Sequence, residues 1–216
     1  MRLIKIYYSN ILYFTYTMIS NYFFSEIVEF KPNWDVNKIK ILKIKLGLSS
    51  KNFIISHNND RLLLKVYDSN PSNLHIIKNI NKHGFGAKIL KILNNGHLEE
   101  WIYSTQILDS SKIRGDLIIK IANKLRIFHD KTQLNHNDLN LSNILITETD
   151  VEFIDFESVN ILDRYYDIAN FFCEFMYNYG SKNWYYYNLN LFPSECFIKL
   201  FCIHYFKTTD ITSINN

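Results

Sequence analysis

The spacing of apolar residues changes type part-way along the chain, from a period of two to a period near 3.6. From Lys38 to Leu46 apolar residues and lysines largely alternate, and Phe53 to Ser56 and Leu62 to Tyr67 flank the turn-forming His57-Asn58-Asn59-Asp60, which predicts antiparallel strands. Asn70-Pro71 has the form of a helix cap with proline at the first helical position. Gly84 has the form of the C-terminal stop, and Leu74, Ile77 and Ile80 share one face between them. Two more strands, about Ala87 to Leu93 and His97 to Tyr103, flank the hairpin signal Asn94-Asn95-Gly96. From Asp116 the pattern turns helical, with Leu117, Ile118, Ile121, Ala122, Leu125 and Phe128 on one face as far as His129-Asp130. After a polar loop, Asn143 to Ile146 and Val151 to Ile154 read as short strands around Thr147 to Asp150, and the chain is helical again from about Tyr166.

Composition narrows this picture. The 216 residues are 47% hydrophobic and 21% charged, within the range of globular proteins, and 15 Tyr and 16 Phe make the packing aromatic. A net charge of +3 with dispersed lysines offers no basic stripe, which argues against a nucleic-acid partner. Cys173, Cys196 and Cys202 form no CxxC pair, so neither a zinc site nor a disulfide framework is indicated, and a reducing, cytoplasmic setting fits. Ile6 to Ser25 is uncharged, but Asn10, Thr15, Thr17, Ser20 and Asn21 dilute it. The expectation is a helix packed on the domain rather than a membrane anchor or targeting segment.

The chemistry concentrates in His136-Asn137-Asp138-Leu139-Asn140-Leu141-Ser142-Asn143, followed after a strand-turn-strand by Ile154-Asp155-Phe156-Glu157. Kinase-like sites place an Asp on a loop beside the acceptor hydroxyl, an Asn five residues on, and a second Asp at the end of the next hairpin strand. Asp138, Asn143 and Asp155 have that spacing. Phosphoryl transfer from ATP needs hard oxygen ligands for Mg²⁺, which Asn143 and Asp155 supply, while Asp138 orients the hydroxyl. His136 reads as a loop brace.

Glu157 stands where protein kinases have Gly, and the runs Tyr166-Asp167-Ile168-Ala169-Asn170 and Phe172-Cys173-Glu174-Phe175-Met176-Tyr177-Asn178-Tyr179 follow. With Gly84 to Lys88 and Asn95 to Ile102 upstream, the chain from about Ile39 to Phe206 resembles the choline/ethanolamine kinase family. The resemblance implies an α+β fold of two protein-kinase-like lobes, an N-terminal antiparallel sheet with one helix and a mainly helical C-terminal lobe. Residues 1–30 would form an aromatic-rich segment, 31–104 the nucleotide-binding lobe and 105–216 the catalytic and substrate lobe. It further implies that Asp167 braces the catalytic loop, that Glu174 faces the cationic head of choline or ethanolamine, and that Glu157 lends structural support. Tyr179 matches a pocket position, yet on a regular helix it lies about 140° from Glu174. It faces inward only if the helix ends near Tyr177, and is otherwise core.

Gly47 to Phe53 resembles the family's loop over the ATP phosphates, with Ser49 and Ser50 as contacts, one Gly where the family often has two, and Ser50 where it commonly has Asn. By the same resemblance, Lys65 on the third strand would contact the nucleotide phosphates, and Glu100 and Ile102 would lie in the stretch whose backbone reads adenine. No Asp or Glu occurs between Asn70 and His97, so the helix expected to supply the acidic partner of Lys65 carries none. Ser158 replaces a common aromatic, and relatives continue with pocket-forming helices beyond the segment resembling Asn190 to Phe206, for which Trp184 and Tyr185 to Tyr187 are the local substitutes. The expected activity is ATP- and Mg²⁺-dependent phosphorylation of an amino-alcohol. A kinase-shaped regulatory module and a kinase of another small molecule stand as alternatives, and the oligomeric state stays open, a homodimer included.

Overall fold

The computed structural model describes residues 19–44, 50–69, 72–106, 113–177 and 186–208. The chain divides into two compact units, residues 1–74 with 87–101, and residues 75–86 with 102–216. The mixed helix and antiparallel-sheet class expected from the periodicity is the one observed.

The first unit is built on a five-stranded antiparallel sheet of β1 (Lys40–Ile44), β2 (Lys51–His57), β3 (Asp60–Val66), β4 (Ile89–Leu93) and β5 (Gly96–Glu100), in the order β1-β2-β3-β5-β4. Asn58, at φ 53°, turns the β2–β3 hairpin, a left-handed conformation that Asn tolerates better than most residues. Alternate residues of the strands supply Phe53, Ile55, Leu62, Leu64 and Leu98 to one face, where they bury against Phe23 and Ile27 of helix α1 (Asn21–Phe30). Each such side chain contributes about 1.5–3 kcal/mol by leaving water. Lys91 on β4 adds ion pairs to Glu26 at 2.8 Å and Glu29 at 3.4 Å on the same helix. The segment expected to pack rather than cross a membrane thus forms the start of this helix where it is described, while residues 1–18 lie outside the described residues. Among the described residues no helix is long and apolar enough to cross a membrane.

The expected strands appear with ends displaced by up to three residues: β1, β4 and β5 are shorter than expected, whereas β2 is extended by hydrogen-bonded pairing beyond its apolar residues. The β2 strand begins at Lys51 opposite Val66 and ends at His57 opposite Asp60. Asn94 and Asn95 form the turn between β4 and β5, and Gly96 opens β5 opposite Val66. A Cβ at Gly96 would stand 2.3 Å from the Lys65 carbonyl oxygen.

In the second unit, helix α2 (Leu74–Lys82, its first residue in the other unit) is followed by the turn at Gly84, and α3 (Asp116–Thr132) buries Ile118, Ile121, Ala122, Leu125 and Phe128 of the expected stripe, while its first member, Leu117, is half-buried. Asn70-Pro71, read as the cap of α2, lies outside the described residues. A three-stranded sheet, β6 (Thr105–Gln106), β7 (Ile144–Ile146) and β8 (Val151–Phe153), contains the expected hairpin and one strand that no periodicity announced. Helices α4 (Tyr165–Glu174) and α5 (Glu195–Phe206) complete the unit, packed through Phe171, Phe172, Phe175, Phe197 and Phe201. The Phe85, Phe128 and Phe156 rings lie in contact at 5.3 and 5.4 Å. Gly86, at φ 72°, approaches so closely that a Cβ would lie 2.6 Å from the Phe156 ring, and its N–H donates to Glu152 Oε1, whose other oxygen pairs with Lys124.

The two close approaches generate a stability prediction. Gly96→Ala is expected to destabilise by roughly 1–3 kcal/mol, because the obstacle is backbone of the neighbouring strand and cannot rotate away. Gly86→Ala is expected to cost a similar amount, by adding a side chain at positive φ against Phe156. Thermal or urea melts measure both, and a wild-type melting point for either variant would show that the approach is not a constraint.

Candidate functional site

The polar loop after α3 leaves its backbone donors without helical or sheet partners, and side chains of α4 receive them. The Asp167 carboxylate is fully buried; it accepts from His136 N at 2.6 Å and from Asn137 N at 2.8 Å, and lies 2.9 Å from His129 Nε2. One turn further along α4, Asn170 Oδ1 accepts from Leu139 N at 2.9 Å. Asp167 and Asn170 are three residues apart on α4, so they share one face of the helix, and both reach the loop. Asn137 takes φ 62°, and its Nδ2 donates to the Ser158 carbonyl, which ties the loop to the segment after β8.

Held this way, Asp138 stands between two amides. Its Oδ1 accepts from Asn140 Nδ2 at 3.0 Å, and its Oδ2 accepts from Asn143 Nδ2 at 3.1 Å. Asn143 also donates Nδ2 to the Asp138 carbonyl at 2.8 Å. Both bonds require the nitrogen of the Asn143 amide to face Asp138, which leaves its oxygen to face elsewhere. Asn140 caps the short 3₁₀ turn Leu141–Asn143, accepting from Ser142 N and Oγ.

Asp155 is brought to the same region by backbone pairing. Ile154 N donates to the Asn143 carbonyl at 3.0 Å, and Ile154 O accepts from His136 Nε2 at 2.8 Å. Asp155 itself takes φ 68°, and the 3₁₀ turn Phe156–Ser158 follows, with Phe156 buried and Glu157 half-buried. Burial of His136 lowers its pKa, outweighing the carboxylates of Asp167, Asp138 and Asp155, which pull the other way. The ring is held neutral, with its Nε2–H on the Ile154 carbonyl. Asp155 and Asn143 together offer hard oxygens, a carboxylate and an amide carbonyl, which suit Mg²⁺ rather than a soft metal. Among the described residues no cluster of three His, Cys, Asp or Glu forms a metal cage.

Glu174 is the last residue of α4 and half-buried, and Tyr177 N donates back to its carbonyl at 3.3 Å. The helix ends three residues before Tyr177, while Tyr179, Trp184 and Tyr185 lie outside the described residues.

In the first unit, Lys65 is 7% exposed on the sheet face opposite α1. His97 is its direct partner across β3 and β5, and Glu99 its diagonal neighbour on that face. Both are buried, with His97 Nε2 2.6 Å from Glu99 Oε1. Acidity beside Lys65 thus comes from β5. Ser50 Oγ donates to Asn52 Oδ1 at 3.1 Å, and Ser49 lies outside the described residues. Glu100 ends β5, its N–H on the Lys88 carbonyl and its Oε1 accepting from Lys88 N. Ile102 follows in the second unit, its carbonyl accepting from Ser104 Oγ.

His129, Asn140 and Asn170 join the site without having been expected there. Asn140 is legible in the sequence as a cap residue ahead of Ser142. Nothing local to His129, at the boundary of its helix, indicates that its ring turns to Asp167, 38 positions away.

The sequence profile described as choline/ethanolamine kinase matches residues 41–133 and 129–214, so it covers residues of both units. A protein described as probable choline kinase 1 of Arabidopsis thaliana is 26% identical over 170 residues, with 52% of this chain and 49% of that protein covered. The chain thus spans about half the length of the curated relative it matches. Among solved structures, an ethanolamine kinase of Plasmodium vivax superposes with a TM-score of 0.70 at 21% identity, covering 85% of this chain and 71% of that one. A choline kinase of Cryptosporidium parvum gives 0.63 at 17% identity, covering 88% and 82%. At those identities the likeness speaks for a shared kinase-like fold, and the profile match, extending over most of the chain, speaks for descent. The chain belongs to the choline/ethanolamine kinase family.

Proposed function

We propose that the chain carries the catalytic centre of an ATP-dependent kinase that phosphorylates the hydroxyl of choline or ethanolamine, giving phosphocholine or phosphoethanolamine for phospholipid synthesis. The observation that carries this reading is the Asp138 carboxylate, held by Asn140 and Asn143 on a loop whose backbone is pinned to Asp167. In the reaction the substrate hydroxyl oxygen forms a bond to the γ-phosphorus while the bond to the ADP oxygen breaks. Asp138 orients the hydroxyl and takes its proton late, as a loose transition state allows. Bound Mg²⁺ supplies charge neutralisation of the phosphates, and Asn143 Oδ1 and the Asp155 carboxylate are the groups proposed to hold it.

Lys65 is the proposed cation for the nucleotide phosphates, with Ser49 and Ser50 beside them and the backbone of Glu100 and Ile102 at the adenine. Its desolvated setting beside His97 and Glu99 supports a structured rather than a free surface lysine. Glu174 is the proposed counter-charge to the ammonium group, supported by its partial burial at the end of α4, and Tyr179 the proposed aromatic wall, drawn by cation–π attraction. His136, Glu157 and Asp167 are proposed as structural supports of the loop. A cytoplasmic location accords with this activity.

Coupled assays of ADP release with choline and with ethanolamine test the reading directly. Asp138→Asn is expected to lower kcat by about 10²–10⁴-fold while ATP with Mg²⁺ still raises the melting temperature. Wild-type protein that releases no more ADP than this variant would overturn the proposal. Asp155→Asn is expected to abolish the Mg²⁺-dependent part of the ATP thermal shift. For Glu174→Gln the expectation is a KM for the amino-alcohol about tenfold higher with little change in KM for ATP, the signature of a lost charge contact to one substrate.

A further inference from the structure

Two buried titratable groups of the second unit touch neither substrate in the proposed reaction, His129 on α3 and Tyr205 on α5, 2% and 1% exposed. The Tyr205 hydroxyl lies 2.6 Å from His129 Nδ1, and His129 Nε2 lies 2.9 Å from Asp167 Oδ2. The Asp167 carboxylate can only accept, so His129 Nε2 carries a proton and donates to it. The Tyr205 hydroxyl, which can donate as well as accept, closes the contact at Nδ1. Burial pushes the Tyr205 phenol up to about 12, against the opposing pull of Arg164, so the hydroxyl keeps its proton at neutral pH. The charged groups that act on the phenol are Arg164, Asp130 and Asp167, the first two joined to each other at 3.2 Å.

We propose that Tyr205 is a positioning residue for the phosphotransfer loop: by its hydrogen bond to His129 Nδ1 it aims the Nε2–H at Asp167, and through that carboxylate it orders the backbone of His136 and Asn137 ahead of Asp138. Tyr205→Phe keeps the ring contacts to Phe201 and Phe206 but removes the hydroxyl that partners a buried Nδ1. His129 then loses the bond that fixes its ring orientation, and Asp167 keeps only the two backbone donors whose geometry the loop itself must maintain. Helix α5, although it contributes nothing to the proposed substrate contacts, thereby sets the order of the loop. The catalytic consequence rests on the phosphotransfer reading. The loop-ordering consequence rests on the geometry alone.

The experiment compares wild type, Tyr205→Phe and Phe201→Leu in the full chain, by amide hydrogen exchange resolved at His136 and Asn137, by steady-state kinetics with ATP and each amino-alcohol, and by thermal melts. Tyr205→Phe is expected to speed exchange at those two amides about tenfold and lower kcat by a similar factor, with both KM values within about twofold of wild type. Phe201→Leu, a packing loss on the same helix, is expected to lower the melting temperature without that pattern. In a His129→Gln background, adding Tyr205→Phe is expected to change exchange at the loop by less than about twofold, since the relay is already gone. Unchanged loop exchange in Tyr205→Phe overturns the proposal, as does an effect of the same size with and without His129. Should the wild type phosphorylate neither alcohol, the phosphotransfer reading fails, and the exchange data alone decide the role of Tyr205.

Discussion

The Asp167 carboxylate is the point on which the second unit turns. Removing a carboxylate from water costs several kcal/mol, and only close donors offset that cost. Asp167 has three, and two of them are backbone N–H groups of the loop that leads into Asp138. Each hydrogen bond to a charged group contributes about 1.5–3 kcal/mol, so the loop is held by an interaction stronger than its own local preferences. That matters because Asn137 sits at φ 62°, a conformation a free loop would seldom keep. The same carboxylate that requires the donors therefore dictates the loop's shape, and Asp138 inherits its orientation from it.

A second layer of constraint comes from rings rather than charges. Asp155 takes a left-handed backbone conformation that costs a non-glycine residue on the order of 1–3 kcal/mol. The burial of Phe156 immediately after it, against Phe128, the His136 ring and the bare backbone of Gly86, holds that conformation in place. His136 joins the two layers. Its N–H is on Asp167, its ring N–H on the Ile154 carbonyl, and its face on Phe156, so the loop with Asp138 and the strand end with Asp155 share one neutral imidazole.

Much of the fold was legible because burial in this chain follows simple periods. On α3 most of the apolar stripe is buried, and the turns of the β2–β3 and β4–β5 hairpins fall on the Asn-rich signals at Asn58-Asn59 and Asn94-Asn95. Illegible elements had no period to show. The two residues of β6 form a strand by pairing with the edge of β7. Phe171 is fully buried, since α5 packs on α4 from that side.

For the site, the sequence by itself determined the identity and spacing of the chemical groups: Asp138 and Asn143 five residues apart, Asp155 at the end of a hairpin, Asp167 and Asn170 on one helical face. Local rules of loop, turn and helix are enough for that, because the order of the groups and the type of element that carries each are written in neighbouring residues. Tertiary structure alone decided what those groups touch. The acidic neighbour of Lys65 on its sheet face is a strand residue, Glu99, since strand pairing set 34 positions apart what no helix supplied. The brace of the loop reaches through His129 to Tyr205, residues 76 positions apart in the chain. Hydrogen bonds of that kind depend on which helices pack together, and that follows from burial of the whole apolar surface at once rather than from any local motif.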